Sequence, residues 1–597
     1  MLKTHGCGEL NKTHADTSVQ LAGWVDRRRD HGGLVFIDLR DHSGVVQVVF
    51  NPGVSGTVHE VGAELRNEYV VQITGNVNKR PSGTENPHLA TGEIEVIARE
   101  AKILNASKTP PFYINEEVAV DESLRLKYRY LDLRRARMQR NIEFRHSVVK
   151  FIRSFLEANG FCEIETPVLI KSTPEGARDY LVPSRVHAGK FYALPQSPQQ
   201  LKQLLMVAGF EKYYQFARCF RDEDTRADRQ PEFTQLDLEM SFITEKDILD
   251  LMEGLFLGLV HGLKPEFKVT EPIRRLTYAD AMERYGSDKP DLRFGMEISD
   301  FTDIAGQSQF AVFRSAIDRG GKVKGICAPG CAGYSRGQLE ELNRHAQSLG
   351  AKGLLTIALG ASGDLEDLTL EQVKSVAAKY LTLDQVKEMA RRTSARPGDL
   401  LLIVADKPRA VSSVLGDLRL FMSRKLNLID PKLLAFAFVV DFPLVERDPD
   451  TGDLEPVRHP FTMPREEDLA LLEGSPERVL SRSYDVIWNG YEIGGGSIRI
   501  HQSELQKQVF RARGYSDDEI HELFGHMLEA LDYGAPPHGG IAFGLDRIVM
   551  LLAGEETIRE VIAFPKNQSA IDLTLNAPAA ATEQQLADLH LLLRQEE

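Results

Sequence analysis

FRDEDTRADRQPEFTQLD, residues 220–237, sets Arg221, Arg226 and Arg229 among six acidic residues and two glutamines. The segment lies between two apolar-rich runs, KYYQFARCF (212–220) and LEMSF (238–242). Two strand-like runs joined by a loop read as a hairpin. Guanidinium groups match phosphate oxygens bidentately, so clustered arginines suit a polyanion held in fixed geometry. The other reading is a solvated charged hairpin, because charge runs are usually solvated faces. Phe-Arg at one end and Pro-Glu-Phe near the middle favour the first.

Around this hairpin the chain runs to 597 residues, too long for one core, and predicts roughly three or four domains. Hydrophobic residues make up 42% and charged residues 27%, the proportions of an ordinary globular protein. No apolar run is long enough to span a bilayer. The start, MLKTHGCGELNKTH, has no apolar stretch behind its basic residue, so no secretory leader and no membrane partner are expected. Cys7, Cys162, Cys219, Cys327 and Cys331 form an odd, sparse set, which points to a reducing cytoplasm. A net charge of −15 excludes non-specific nucleic-acid binding by the whole surface and leaves room for a local basic face.

The N-terminal segment reads as five short strands: QLAGWV (20–25), LVFIDLR (34–40), VVQVVF (45–50), YVVQITGNV (69–77) and EIEVIAREAKIL (93–104). Five strands in this length suit a closed OB-type barrel, a common single-strand nucleic-acid binder. Arg27, Arg28 and Arg29 precede the second strand, which carries Phe36; Phe36 is either a stacking platform or core. DESLRLKYRYLDLRRARMQR (121–140) is too basic for core and reads as a hinge. A helix is predicted over 141–160 from the spacing of Phe144, Val148, Phe151, Ile152, Phe155 and Leu156, followed by a strand, FCEIETPVLI (161–170). Between 286 and 425 the arginine-rich chemistry disappears, and the segment reads as an insertion with its own strands and helices. Cys327 and Cys331 lie there; with no second Cys/His pair at ligand spacing they read as buried thiols.

Three separated segments fit one family. The helix and strand ending in Glu165-Thr166-Pro167 resemble motif 1 of the class II aminoacyl-tRNA synthetases, FRDEDTRADRQPEF resembles motif 2, and GGIAFGLDRIVMLLAG (539–554) resembles motif 3. The barrel, the insertion and the segments TPEGARDY (173–180), QSPQQLKQ (196–203) and GGGSIRIH (494–501) narrow the resemblance to the bacterial-type, aspartate-specific members. It covers nearly the whole chain. The implied fold is multidomain α+β: an OB-fold anticodon-binding barrel (1–104), a hinge (105–137), an antiparallel-sheet catalytic domain in two parts (138–285 and 426–575) and an inserted α/β, GAD-like domain (286–425). A tail, 576–597, is expected to be helical or partly disordered.

The implied reaction joins L-aspartate to tRNA through aspartyl-adenylate, with ATP as substrate and Mg2+ as cofactor. Positioning and charge neutralisation should dominate at phosphorus. By resemblance, Arg221 and Arg547 are the catalytic arginines, on the α- and γ-phosphates. Asp222, Glu223, Gln230, Phe233, Glu492, Gly544, Leu545 and Asp546 complete the ATP site, with Phe233 stacked on adenine. Asp485 and Glu492 match the metal carboxylates. Aspartate would be held by Glu175, Ser197, Gln199, Gln200, Leu201, Lys202, Arg221, Asp237, His459 and Arg499. A diacid with an ammonium needs anionic and cationic partners together, which Glu175 and Asp237, and Lys202 and Arg499, supply. A pocket for asparagine would gain nothing from two desolvated cations beside a neutral amide. Relatives usually carry two histidines where this chain has Arg458 and His459, which leaves open which of the two reaches aspartate.

In the barrel the resemblance implies anticodon contacts by Arg29, His31, Phe36, Gln47, Gly83 and Glu93. His31 and Gly83 resemble the non-discriminating subgroup that charges both tRNA(Asp) and tRNA(Asn). A homodimer joined around Pro167 is also implied. The alternatives are a strictly tRNA(Asp)-specific enzyme and a non-catalytic RNA-binding paralogue. The second would be favoured by loss of Arg221, Lys202, Arg499 or Arg547, and all four are present.

Overall fold

The computed structural model describes residues 1–172, 176–360, 363–448 and 451–594, and the chain divides into two compact units. The first is Met1–Glu143 with Arg559–Ala579; the second is Phe144–Ile558 with Ala580–Glu597.

In the first unit the strands Ser18–His31, Leu34–Asp41, Gly44–Phe50, Val70–Lys79 and Ile94–Asn105 close into a barrel. Alternation along each strand sorts the side chains. Val35, Ile37 and Leu39 are buried, while Phe36 and Asp38 face outward, half-buried. Phe36 is therefore not core. Gly32 and Gly33, at φ +59° and +81°, make the tight turn after His31, a conformation glycine adopts without cost.

The basic hinge departs from expectation. Arg129 and Asp132 are buried, with 1% and 0% of their surface exposed. Arg129 Nη1 donates to Asp132 Oδ2 at 2.6 Å, and its other nitrogens donate to the carbonyls of Arg559, Ile562 and Ala563. Arg125 bridges Asp132 and Glu560. Burial of these charges is tolerable because every one is paired, which composition cannot reveal.

The second unit is built on an eight-stranded sheet. Its order is Arg274–Thr277, Phe436–Val440, Ser483–Trp488, Tyr491–Ile498, His538–Gly544, Glu232–Ser241, Lys212–Phe220, Cys162–Glu163. The pairs within it are antiparallel except at its two edges. Helix Ala136–Ala158 buries Val148, Ile152 and Leu156, and Phe151 lies against Gly258 and Gly262 of helix Glu245–Leu263. The strand expected over 161–170 is laddered only at Cys162–Glu163. Pro167 has no N–H to give a ladder, and beyond it only Ile170 makes a bridge, to Ala193.

The insertion carries a four-stranded sheet ordered Ser299–Asp300, Lys322–Ala328, Leu400–Asp406, Leu355–Ala358. Separate apolar clusters cover its faces, one around Phe313 and Leu401, the other around Leu402 and Leu415. Cys327 and Cys331 are buried there, and Cys327 Sγ donates to Asp399 at 3.4 Å. In the C-terminal tail Glu583–Asp588 is helical. No helix among the described residues is long and apolar enough to cross a membrane.

Candidate active site

Strand register builds the site. Across four neighbouring strands Asp237 pairs with Ala542, Ala542 with Gly495, and Gly495 with Asp485. Three inter-strand steps separate the two carboxylates, about 14 Å. The floor between them is a glycine and an alanine. A Cβ on Gly495 would stand 2.4 Å from Asp485 Oδ1, so the room above this row depends on glycine.

A cavity of about 420 Å³ opens over this row. Arg221, Arg547, Lys202 and Arg499 all line it, although they lie far apart in sequence. So do Ser197, Gln199, Glu223, Gln230, Phe233, Asp237, His459, Asp485, Glu492, Gly544 and Asp546. Four of the expected residues that the structure describes do not line it. Gln200 and Leu201 sit on helix Gln199–Val207, where the spacing that turns Gln199 and Lys202 inward turns these two away. Gln200 instead meets His526 at 2.7 Å. Asp222 faces Arg178, and Leu545 starts helix Leu545–Ala553 with its side chain in the core. Glu175 lies outside the described residues.

One end of the cavity holds a buried charge quartet. Lys202 Nζ lies 2.9 Å from Asp237 Oδ1 and 3.5 Å from Glu239 Oε2. Arg499 donates from Nε and Nη2 to the two oxygens of Glu239, at 2.8 and 3.2 Å. None of the four is more than 1% exposed. Glu239 was not anticipated; it shares the period-two face of Phe233, Gln235 and Asp237, and that alternation was the available signal. Burial opposes its charge, but Arg499 and Lys202 outweigh burial and hold its carboxyl below the usual range. Burial pushes Asp237 up against the pull of Lys202. Asp237 Oδ2 is buried and has no hydrogen-bond partner among the described residues.

His459 belongs to this end. Its Nε2 lies 2.5 Å from Arg499 Nη1 and 3.4 Å from Ser497 Oγ. Complete burial, reinforced by Arg499, Arg513, Lys202 and Arg458, holds it well below the ordinary histidine value, so the ring is neutral and can accept from the guanidinium. Arg458 points elsewhere, with Nη1 and Nη2 each 2.8 Å from an oxygen of Asp485.

The other end is cationic and open. Arg221 stands over Phe233, 5.2 Å from the ring centre, and its buried Nε has no partner among the described residues. Arg547 is anchored by the Glu492 carbonyl at 2.8 Å and by Asp228 at 3.1 Å. Asp228 is a loop residue that sequence reasoning passed over. Asp546, expected in the ATP site, accepts from Arg145 at 2.5 Å and from the Thr234 amide at 3.1 Å. The two expected metal carboxylates are each neutralised: Asp485 by Arg458, and Glu492 by Lys289 at 2.9 Å. As they stand they do not fit a divalent ion held by protein groups alone.

In the first unit Arg29 Nη2 donates to Asp38 at 2.8 Å and to Gln47 at 3.4 Å, and Gln47 donates to Glu95 at 3.0 Å. Arg29 stands opposite Phe36 in the strand register. The polar row beside Phe36 therefore includes Asp38 and Glu95. Glu93 is exposed and pairs with Lys12, and Gly83 turns at φ +87°.

Comparison with known proteins follows the same lines. Residues 121–568 match the family described as tRNA synthetases class II (D, K and N), and residues 19–104 match the OB-fold nucleic acid binding domain. A protein of Dehalococcoides mccartyi named aspartate–tRNA(Asp/Asn) ligase is 60% identical over 597 residues, all of both chains. One of the same name from Moorella thermoacetica is 54% identical over 99% of this chain and 96% of its own. The fold is shared with an aspartyl tRNA synthetase from Entamoeba histolytica at TM-score 0.56 and 21% identity, covering 95% of this chain and 92% of that one. It is shared also with an asparaginyl-tRNA synthetase from Pyrococcus horikoshii at TM-score 0.58 and 18% identity, covering 95% and 98%. With a barrel, a motif-bearing antiparallel sheet and full-length relatives all agreeing, this chain belongs to the class II tRNA synthetases of the D, K and N group.

Proposed function

We propose that the protein activates L-aspartate with ATP and transfers it to tRNA(Asp) and to tRNA(Asn). One observation carries the amino-acid choice: Asp237, one of whose buried carboxylate oxygens has no partner among the described residues, lines the cavity together with the buried cations Lys202 and Arg499. The quartet sums to zero charge. Its vacant acceptor suits an ammonium, and its two cations suit a carboxylate side chain. A carboxylate side chain adds an anion to cations already shared with Asp237 and Glu239, whereas an amide brings no charge to either.

A carboxylate oxygen of aspartate attacks the α-phosphorus, the bond to the bridging oxygen of the β-phosphate breaks, and pyrophosphate leaves. Arg221 lies where charge develops at that phosphorus, and Arg547 neutralises the far end of the nucleotide. Phe233 gives adenine a face. A terminal ribose hydroxyl of tRNA then takes the aspartyl group from the adenylate, releasing AMP. Magnesium enters with the triphosphate as part of the substrate; Glu492, paired with the half-exposed Lys289, is the carboxylate that would face it.

Phe36, Arg29 and Gln47 suit stacking and polar reading of unpaired bases. The names of the full-length relatives support the wider tRNA range. Val168, Leu169, Leu181, Phe191 and Tyr192 are exposed apolar residues near Pro167 and support association of two copies there. Five unpaired cysteines accord with the cytoplasm.

Pyrophosphate exchange into ATP should require aspartate and should not be supported by asparagine or lysine; exchange with either of these at the aspartate rate refutes the amino-acid assignment. Purified tRNA(Asn) should accept labelled aspartate, and incorporation at the level without tRNA limits the enzyme to tRNA(Asp).

A further inference from the structure

At the nucleotide end of the cavity the two expected metal carboxylates, Glu492 and Asp485, are paired with cations in different ways. Lys289 and Glu492 are 41% and 32% exposed and joined by one contact, so water and ligand can separate them. Arg458 and Asp485 are 16% and 3% exposed and joined by a two-pronged fork. The Arg458 guanidinium lies over Phe442, 3.4 Å from the ring centre. Arg513 donates to the Arg458 carbonyl, which fixes the backbone beneath it. An arginine locked by fork, ring and backbone is a permanent charge rather than a passing counter-ion. Both Asp485 oxygens are engaged by it, and any divalent ion approaching them meets a guanidinium at contact distance. The inner carboxylate is thus closed to metal, while the outer one is reachable.

Resting on the nucleotide-site reading above, we propose that Arg458 is a resident cation that stands in for a protein-held divalent ion at Asp485, so that metal enters this site only with the triphosphate. Arg458 acts through Asp485 and is a positioning residue. Three features argue for this role over plain structural support. Arg458 lines the cavity; among the described residues the one carboxylate it pairs with is Asp485; and Asp485 lies on the same sheet row as Asp237.

The test uses Mn2+ as probe, on full-length protein without nucleotide, with the free ion followed by electron paramagnetic resonance. Arg458→Gln should bind a single Mn2+ per chain at least about tenfold more tightly than wild type. Adding Asp485→Asn to that variant should remove the gain. Mn2+ bound as tightly by wild type as by Arg458→Gln overturns the proposal. If Arg458→Gln does not fold, Arg458→His, neutral at about pH 8, replaces it. Wild type is decisive by itself as well: nucleotide-free Mn2+ binding that Asp485→Asn abolishes overturns the proposal whatever the variants do. Absence of aspartate-dependent exchange would defeat the assigned reaction and leave this binding result standing, so the two failures are distinguishable.

Discussion

Lys202→Met removes one charge from a buried quartet. Lys202 is 1% exposed, 2.9 Å from Asp237 and 3.5 Å from Glu239. The substitution keeps the length of the side chain and leaves two buried carboxylates sharing Arg499 alone. Breaking one partner out of a buried ion pair costs about 3–5 kcal/mol when the other stays charged. Asp237, already pushed up by burial, escapes most of this by taking a proton, so the loss of folding stability should stay below about 3 kcal/mol. Function has no such escape. A protonated Asp237 no longer attracts an ammonium, and the substrate also loses a charge-assisted hydrogen bond of about 1.5–3 kcal/mol. Together these predict a fall in kcat/KM for aspartate of roughly a thousandfold, about 4 kcal/mol. Aspartate-dependent ATP–pyrophosphate exchange measures it, with a thermal melt to show that the variant folds. Addition of Asp237→Asn should cost little more, because the two residues act as a pair. Exchange within about threefold of wild type, under 1 kcal/mol, would refute the quartet as the amino-acid site.

Phe36→Ala should raise KM for tRNA by about tenfold or more, a loss of about 1–3 kcal/mol of stacking, while tRNA-independent exchange stays unchanged; an altered exchange rate would place Phe36 in a structural role. Gly495→Ala should abolish exchange in a folded protein, since its Cβ would meet Asp485 Oδ1 at 2.4 Å; near-normal turnover would show that the row has slack. Asp41 is held at about 2: burial opposes its charge, but hydrogen bonds from Lys3, Ser43 and the Cys7 amide outweigh it. Its folded value lies below the unfolded one, so its stabilisation is complete above about pH 4 and is lost as pH falls through about 2. Asp41→Asn should therefore lower the melting temperature at pH 7 and lessen its fall on acidification; equal slopes for the two proteins would argue against the pairing.

Much of the site was legible as residue types. Arg221, Phe233, Asp237, Arg499 and Arg547 stand in the segments that carry the family resemblance, and strand alternation in the barrel placed Phe36 outside once the register was known. Their partners were hidden. Arg499 and Glu239 are 260 residues apart, and Arg547 and Asp228 are 319 apart. Nothing local in the sequence announces such pairs, because the pairing is set by strand order. The hinge shows the same limit: Arg129 reads as a surface charge and is buried, because Asp132 and three carbonyls wait for it.

From the sequence alone come the barrel strands, the arginine hairpin and the insertion, since side-chain periodicity and turn chemistry act between near neighbours. Only the tertiary structure decides that His459 attends Arg499 while Arg458 closes over Asp485. The two side chains leave a bend in different directions, and what each meets, Asp485 or Arg499, is set by strands that the sheet brings beside that bend from elsewhere in the chain.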